Sequence, residues 1–185
     1  MWANYSGSTP WSTLPRDAEI SPCGRYCYRT WRCWDLDLPT AGFIVCNLGC
    51  SDPLRDTRLV RAAMYRSMRM GMGSCILCPV FGYLSETKGM FKAAIDPIGP
   101  ENWSRMESRL SSCAVVICCW GSGLIWHWSV HEAAFLRLIR EWSIRLSFYG
   151  DTNRGQPRSL GSRLSLRTPL VKYLPEFPEN NFAES

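Results

Sequence analysis

The sequence predicts an α/β fold, a three-layer sandwich in which helices cover both faces of a mostly parallel central sheet of about four strands. Short apolar runs of strand length alternate with segments of helical periodicity, the pattern of strands joined by helical crossovers. At 185 residues and 46% hydrophobic, the chain can bury one sizeable core and is too short for two comfortable domains. The expected organisation is an irregular N-terminal arm over residues 1–22, one α/β domain over 23–175 and a tail over 176–185.

The arm is rich in Ser, Thr, Pro and Trp and has no sustained period. Residues 25–34 then alternate large and polar side chains, as an edge strand or hairpin would. The central strands are expected at 42–46, 74–80 and 114–120, with a fourth at 145–149. Between the first two, Asp56 is suited to cap a helix that turns Val60, Ala63 and Met64 inward and stops at Gly71 and Gly73. Pro100 can open a second helix with Trp103, Met106 and Leu110 on one stripe. A third, over about 127–142, packs Phe135, Leu138, Ile139 and Trp142.

Composition narrows the function classes. No run approaches the roughly 18 apolar residues that read as a membrane span, and Met1-Trp2-Ala3-Asn4 does not open as a secretion signal does, so a soluble, cytoplasmic protein is expected. In that setting most of the ten cysteines should be free thiols. Cys75 and Cys78 have C-x-x-C spacing, with Cys23, Cys27 and Cys33 upstream, which suits a metal or cluster; the same pair sits in an apolar run, where cysteine behaves as a small hydrophobe. No cofactor and no metal is assigned. The formal charge of +5, with arginines recurring over 55–69 and 154–167, suits a polyanionic partner as well as it suits a solvated basic surface.

In a parallel sheet, ligands bind beyond the carboxyl ends of the strands. The segments there are Asn47-Leu48-Gly49-Cys50-Ser51, Phe81-Gly82-Tyr83, Trp120-Gly121-Ser122-Gly123, and residues 150–159 with Asn153, Arg154, Gln156 and Arg158. His127 and His131, four apart, would share a helix face near this rim, spacing that suits acid–base work or a metal as well as packing. No phosphate-binding glycine loop, zinc-protease helix or serine elbow is present.

An aromatic-basic strand is followed by a strand ending in an N-x-x-x-S turn, Asp56-Thr57 opening an arginine-bearing helix, Asp96-Pro97-Ile98-Gly99-Pro100-Glu101-Asn102, Trp120-Gly121 and Gly155-Gln156-Pro157-Arg158. This order of motifs resembles the bacterial and phage family catalogued as domain of unknown function sixteen forty-three. The likeness covers about residues 23–173. More distantly the layout is similar to the uracil-DNA glycosylase superfamily, which places a catalytic Asn or Asp after the first strand and a DNA-entering motif after the last. Three departures stand out: Leu48 where the family usually has Pro, Cys78-Pro79 where it usually has Asn-Leu, and Ser159 where a His commonly follows the arginine.

The resemblance implies a DNA glycosylase, a monomer binding duplex DNA with no membrane partner, that flips a modified base, hydrolyses its bond to deoxyribose and leaves an abasic site, in defence against phages with modified genomes. It assigns Asn47 and Asp56 as candidate catalytic residues, Asn47 orienting a water. Gly49 and Ser51, in the same turn, are expected to bind substrate, Phe81 and Trp120 can stack on the base, Asn153 and Gln156 can read its edge, and the Arg158 loop fills the gap. Arg55, Arg58, Arg154 and Arg163 are the expected phosphate contacts. A non-catalytic nucleic-acid or nucleotide-binding module using the same crevice is the alternative. Each residue also has a structural use: Asn47 tolerates a left-handed turn, Phe81 and Trp120 suit core packing, Asp56 suits a helix cap, and the arginine loop suits a solvated connection.

Overall fold

The computed structural model describes residues 13–49, 52–122, 125–160 and 168–174. Among the described residues seven strands form one sheet: β1 (Arg16–Ile20), β2 (Cys27–Cys33), β3 (Thr40–Val45), β4 (Ser74–Pro79), β5 (Val115–Cys118), β6 (Leu146–Phe148) and β7 (Val171–Lys172), in the order β1-β2-β4-β3-β5-β6-β7. The four strands expected from the apolar runs are β3, β4, β5 and β6, and they pair in parallel as the central block. The expected strand count is corrected upward, because antiparallel strands extend the sheet on both sides.

Two of these additions overturn expectations. Residues 16–20, read as part of an irregular arm, form β1, and residues 27–33, read as an edge strand or hairpin, form β2, which pairs antiparallel with β1 as a hairpin arm and lies between β1 and β4, away from the edge. The burial pattern of β1 shows why it has no clean sequence signature: Arg16, Ala18 and Glu19 are half-buried, while Asp17 and Ile20 are exposed. Its charged residues make it legible only through its partners. Arg109 grips Glu19 through two hydrogen bonds of 2.7 and 2.6 Å, tying β1 to a helix, and Arg29 on β2 reaches Asp17 at 2.7 Å.

Four helices among the described residues accompany the sheet: α1 (Arg58–Arg69), α2 (Lys88–Lys92), α3 (Asn102–Leu110) and α4 (Ile125–Arg140). The short α2, capped by Thr87, has too few turns to register as a period. Thr57, in place of Asp56, caps α1, its hydroxyl accepting the Val60 N–H at 3.3 Å, and Gly71 at φ +74° turns the chain away after Met70.

The core is divided by the sheet. Ala41, Phe43, Val45, Cys75, Leu77 and Ile117 share one cluster with Val60, Ala63 and Met64 of α1. Their strand neighbours Ile44, Ile76, Cys78, Val116 and Cys118 share the other with Met106 and Leu110 of α3 and Phe135 and Ile139 of α4. Successive strand residues face opposite ways, so both sets must be apolar. Cys75 and Cys78 therefore point to opposite faces and act as core residues, separated by the sheet. Gly42 leaves room for its neighbours, since a Cβ there would lie 2.8 Å from Leu110 Cδ2 and 3.0 Å from Cys113 Sγ and would displace those side chains.

Candidate functional site

The sheet order sets the position of the crevice. The connection leaving β3 through α1 returns at β4, on one side of β3, whereas the connection leaving β5 through α4 returns at β6, on the other. The chain diverges between the carboxyl ends of β3 and β5, the switch point at which such sheets bind ligands. Asn47 and Gly49 follow β3 and Trp120, Gly121 and Ser122 follow β5, so two of the four candidate segments flank this point.

Asn47 is half-buried, and no hydrogen bond among the described residues engages its amide. The strand end leading to it is held from both sides. Phe81 N–H donates to Cys46 O at 2.9 Å and Cys119 N–H to Ile44 O at 2.9 Å, while Leu48 is buried in the cluster under α1. Gly49 is exposed at φ +65°, in the left-handed region where a side chain would be strained. Ser51 lies outside the described residues, as does Arg163.

Asp56 does not stand free for catalysis. Its Oδ1 accepts from Arg32 Nε at 2.7 Å and its Oδ2 faces Arg16 at 3.4 Å. The Arg32 side chain is fully buried and its remaining N–H groups are also used, by Thr30 Oγ1 and Trp31 O at 2.8 Å and by Leu54 O at 2.7 Å and Pro53 O at 3.3 Å. Arg32 thus fixes the loop over residues 53–56. That loop and the first turn of α1 wall an open cleft of about 350 Å³ lined by Gly49, Arg55, Asp56, Thr57, Arg58 and Arg61. Two of the four expected phosphate contacts, Arg55 and Arg58, line it. Arg61 was missed, although its place three residues after Arg58 on a helix was a readable signal.

Phe81 and Trp120 are interior packing residues, at 0% and 2% exposure, and this corrects their reading as stacking platforms. Phe81 meets Phe91, Trp128 and both histidines, while Trp120 meets Trp128, Phe135 and Tyr173. Trp120 Nε1–H donates to Gln156 Oε1 at 2.9 Å, and Gln156 Nε2 donates to Glu132 of α4. Gln156 is accordingly a strap between β5, α4 and the last loop, its amide already engaged at both ends.

That loop is a tight hairpin. Thr152 N–H donates to Gln156 O at 2.7 Å and Gly155 N–H to Thr152 O at 3.0 Å, with Gly155 at φ +67°. Gly121 N–H donates to Pro157 O at 2.8 Å, docking the hairpin on the end of β5. A Cβ at Gly121 would meet Ser159 Cβ at 2.9 Å, which accounts for the glycine of the Trp120-Gly121 pair. Asn153, Arg154 and Arg158 are exposed on the hairpin, with Arg158 Nε–H held on Asp151 O at 2.8 Å.

The stretch 96–102 serves the rim from beneath. Asn102 is fully buried and donates to Pro79 O and Val80 O at 2.8 and 3.0 Å, and Trp103 Nε1–H adds a bond to Val80 O at 2.8 Å. Gly82 and Tyr83 N–H groups pair with Ile98 O and Pro97 O, both at 3.1 Å. These contacts set where β4 ends. His127 Nε2 lies 2.8 Å from Phe91 O, and His131 packs edge-on to Trp103, so both rings are engaged by packing. Burial, and then the neighbouring His127, lower the His131 pKa.

No helix among the described residues is long and apolar enough to cross a membrane. No curated protein and no solved structure matches the chain. Residues 27–158, well over half of the sequence and containing the switch-point turn, the clamp at 96–102 and the docked hairpin, match the family described as protein of unknown function, DUF1643, and the chain belongs to that family.

Proposed function

We propose that this protein is a DNA glycosylase-like enzyme that hydrolyses the bond between a modified base and deoxyribose. The observation that carries the reading is Asn47, a half-buried amide without a hydrogen bond among the described residues, at the switch point of the sheet. Beside it lies an arginine-lined cleft, and the neighbouring strand end carries a hairpin presenting Asn153, Arg154 and Arg158. Hydrolysis adds water at the sugar C1′, sends the glycosidic electron pair to the base, and passes through an oxocarbenium-like sugar. The protein must orient the water and stabilise the departing base, for which an amide oxygen and cationic or backbone donors suffice. In this reading Asn47 Oδ1 orients the water and Arg158 or Asn153 meets the base or the gap it leaves. Arg55, Arg58 and Arg154 hold phosphates. A modified base as substrate, and a role against phages with modified genomes, belong to the same proposal.

One observation favours a non-catalytic module in the same crevice. Asp56, the nearest carboxylate to the cleft, is neutralised by two arginines and leaves no general base there among the described residues. Incubation with DNAs carrying different base modifications, followed by detection of free bases and abasic sites, separates the two. Release by the wild type and its loss in Asn47→Ala are expected; binding without release across all substrates would establish the module instead.

A further inference from the structure

The cleft beside Gly49 carries charge of the wrong sign for the structure around it. Arg58 is the first residue of α1 and Arg61 lies one turn on, at the end of a helix where the macrodipole is positive, and that first turn has no acidic residue. Arg55 completes the group from the preceding loop. None of the three takes part in an ion pair or a side-chain hydrogen bond among the described residues. Among the described residues the one acid lining the cleft is Asp56, whose two oxygens are held by Arg32 and Arg16. The described residues therefore gather three exposed cations without supplying a counter-charge.

The same helix end also leaves backbone donors unused. Thr57 Oγ1 and Thr57 O take the N–H groups of Val60 and Arg61, whereas those of Arg58 and Leu59 have no acceptor among the described residues. Across the cleft, Gly49 presents no side chain. Guanidinium forks, free amide hydrogens and an open wall together suit a tetrahedral oxyanion.

We propose that this cleft is a phosphate-binding subsite in which Arg55, Arg58 and Arg61 surround a phosphate group, while the buried Arg32–Asp56 pair positions the loop that carries Arg55. The subsite deepens the glycosylase reading by locating one phosphate of its nucleic acid, and rests on that reading only for the identity of the larger ligand. Either a phosphodiester of a nucleic-acid strand or the terminal phosphate of a nucleotide offers the required chemistry.

Thermal unfolding of the full chain in inorganic phosphate, against chloride of equal ionic strength, is the direct test. Phosphate at about thirty times its dissociation constant should raise Tm by about 4–8 °C. Arg58→Gln/Arg61→Gln should abolish that rise while leaving Tm in chloride undiminished, because two unfavourably placed charges are removed. Arg55→Gln, outside the helix, should weaken phosphate binding by about ten-fold or more. No rise beyond chloride, or a rise retained in the double variant, overturns the proposal. A short oligonucleotide without terminal phosphates, bound by the wild type, displaced by phosphate and lost in the double variant, assigns the site to a strand backbone; the same behaviour by a deoxynucleoside 5′-monophosphate alone assigns it to a terminal phosphate. Asn47→Ala should keep the phosphate response in full, so failure of base excision and failure of this subsite are read separately.

Discussion

Replacing Arg32 by methionine tests whether the buried guanidinium organises the rim. The substitution preserves apolar bulk along the side chain and removes five hydrogen bonds at 2.7 to 3.3 Å, including the ion pair to Asp56. Thr30 still serves Pro53 O at 2.8 Å, but Leu54 O loses its guanidinium donor, and Asp56, with its side chain 15% exposed, keeps Arg16 alone at 3.4 Å. Removing one member of a buried pair typically costs about 3–5 kcal/mol, and the partial exposure of Asp56 places this case near the lower end, about 3 kcal/mol. That is a large share of the roughly 5–15 kcal/mol that holds a domain folded. Urea titration followed by tryptophan fluorescence would read the loss directly. Arg32→Met/Asp56→Leu should recover part of it, because no carboxylate is left stranded. A loss below about 1 kcal/mol in the single variant, or strictly additive losses in the double, would refute the assignment of Arg32 as the hub of this loop.

Three further outcomes are expected. Hydrogen bonding from Ser21, then from Arg25, lowers the exposed Cys23 thiol to about 7, so iodoacetamide labelling followed by peptide mass spectrometry should find Cys23 modified with a midpoint near that pH while buried Cys75 and Cys78 stay unlabelled until unfolding. His131 has a folded pKa below its ordinary 6.5, so the unfolded chain protonates first; stability should be full above about pH 6.5 and fall as acid is added through the folded value, and His131→Gln should flatten that slope in denaturation curves between pH 7 and 5. Gln156→Ala should cost about 1–3 kcal/mol by stranding the Trp120 indole N–H, measured by urea titration, whereas a Gln156 that only reads substrate would leave stability unchanged.

The central block was legible because its strands are buried on both faces. Ala41 through Val45 and Cys75 through Cys78 are apolar at every position, which no half-exposed strand could be, and their length and flanking turns distinguish them from helices. The flanking strands carry no such mark. β1 presents Arg, Asp and Glu to partners that only the folded chain supplies, so its charges read as loop until Arg29 and Arg109 are seen to receive them. The aromatic-basic alternation of β2 was visible, but its position was not. Arg32 looks like an exposed cation in sequence and becomes a fully buried one only because Asp56 and three carbonyls of a distant loop and a neighbouring residue converge on it.

The candidate site divides along the same line. Segment positions follow from topology, so Asn47, Gly49, Trp120 and the 150–159 hairpin were placed at one rim from the strand ends alone, and there the sequence reading holds. Whether a side chain faces substrate or core depends on packing one layer deeper. Phe81 and Trp120 each lie two residues beyond a strand buried on both faces, and α4 closes over them with Trp128 and Phe135; the same aromatic character that suggested stacking is what fills the space under the helix. Gln156 follows, since a buried indole N–H requires an acceptor and the nearest loop supplies one. With those three side chains committed to the scaffold, the polar groups at the rim not already engaged by the fold are, among the described residues, fewer than the motifs suggested: the Asn47 amide, the exposed hairpin residues, and the arginines of the cleft. Among the described residues, chemistry at this rim begins from these, which makes Asn47→Ala and the Arg58→Gln/Arg61→Gln pair more informative than substitutions at the aromatic residues, whose loss would collapse the support of the crevice before it reported on ligand.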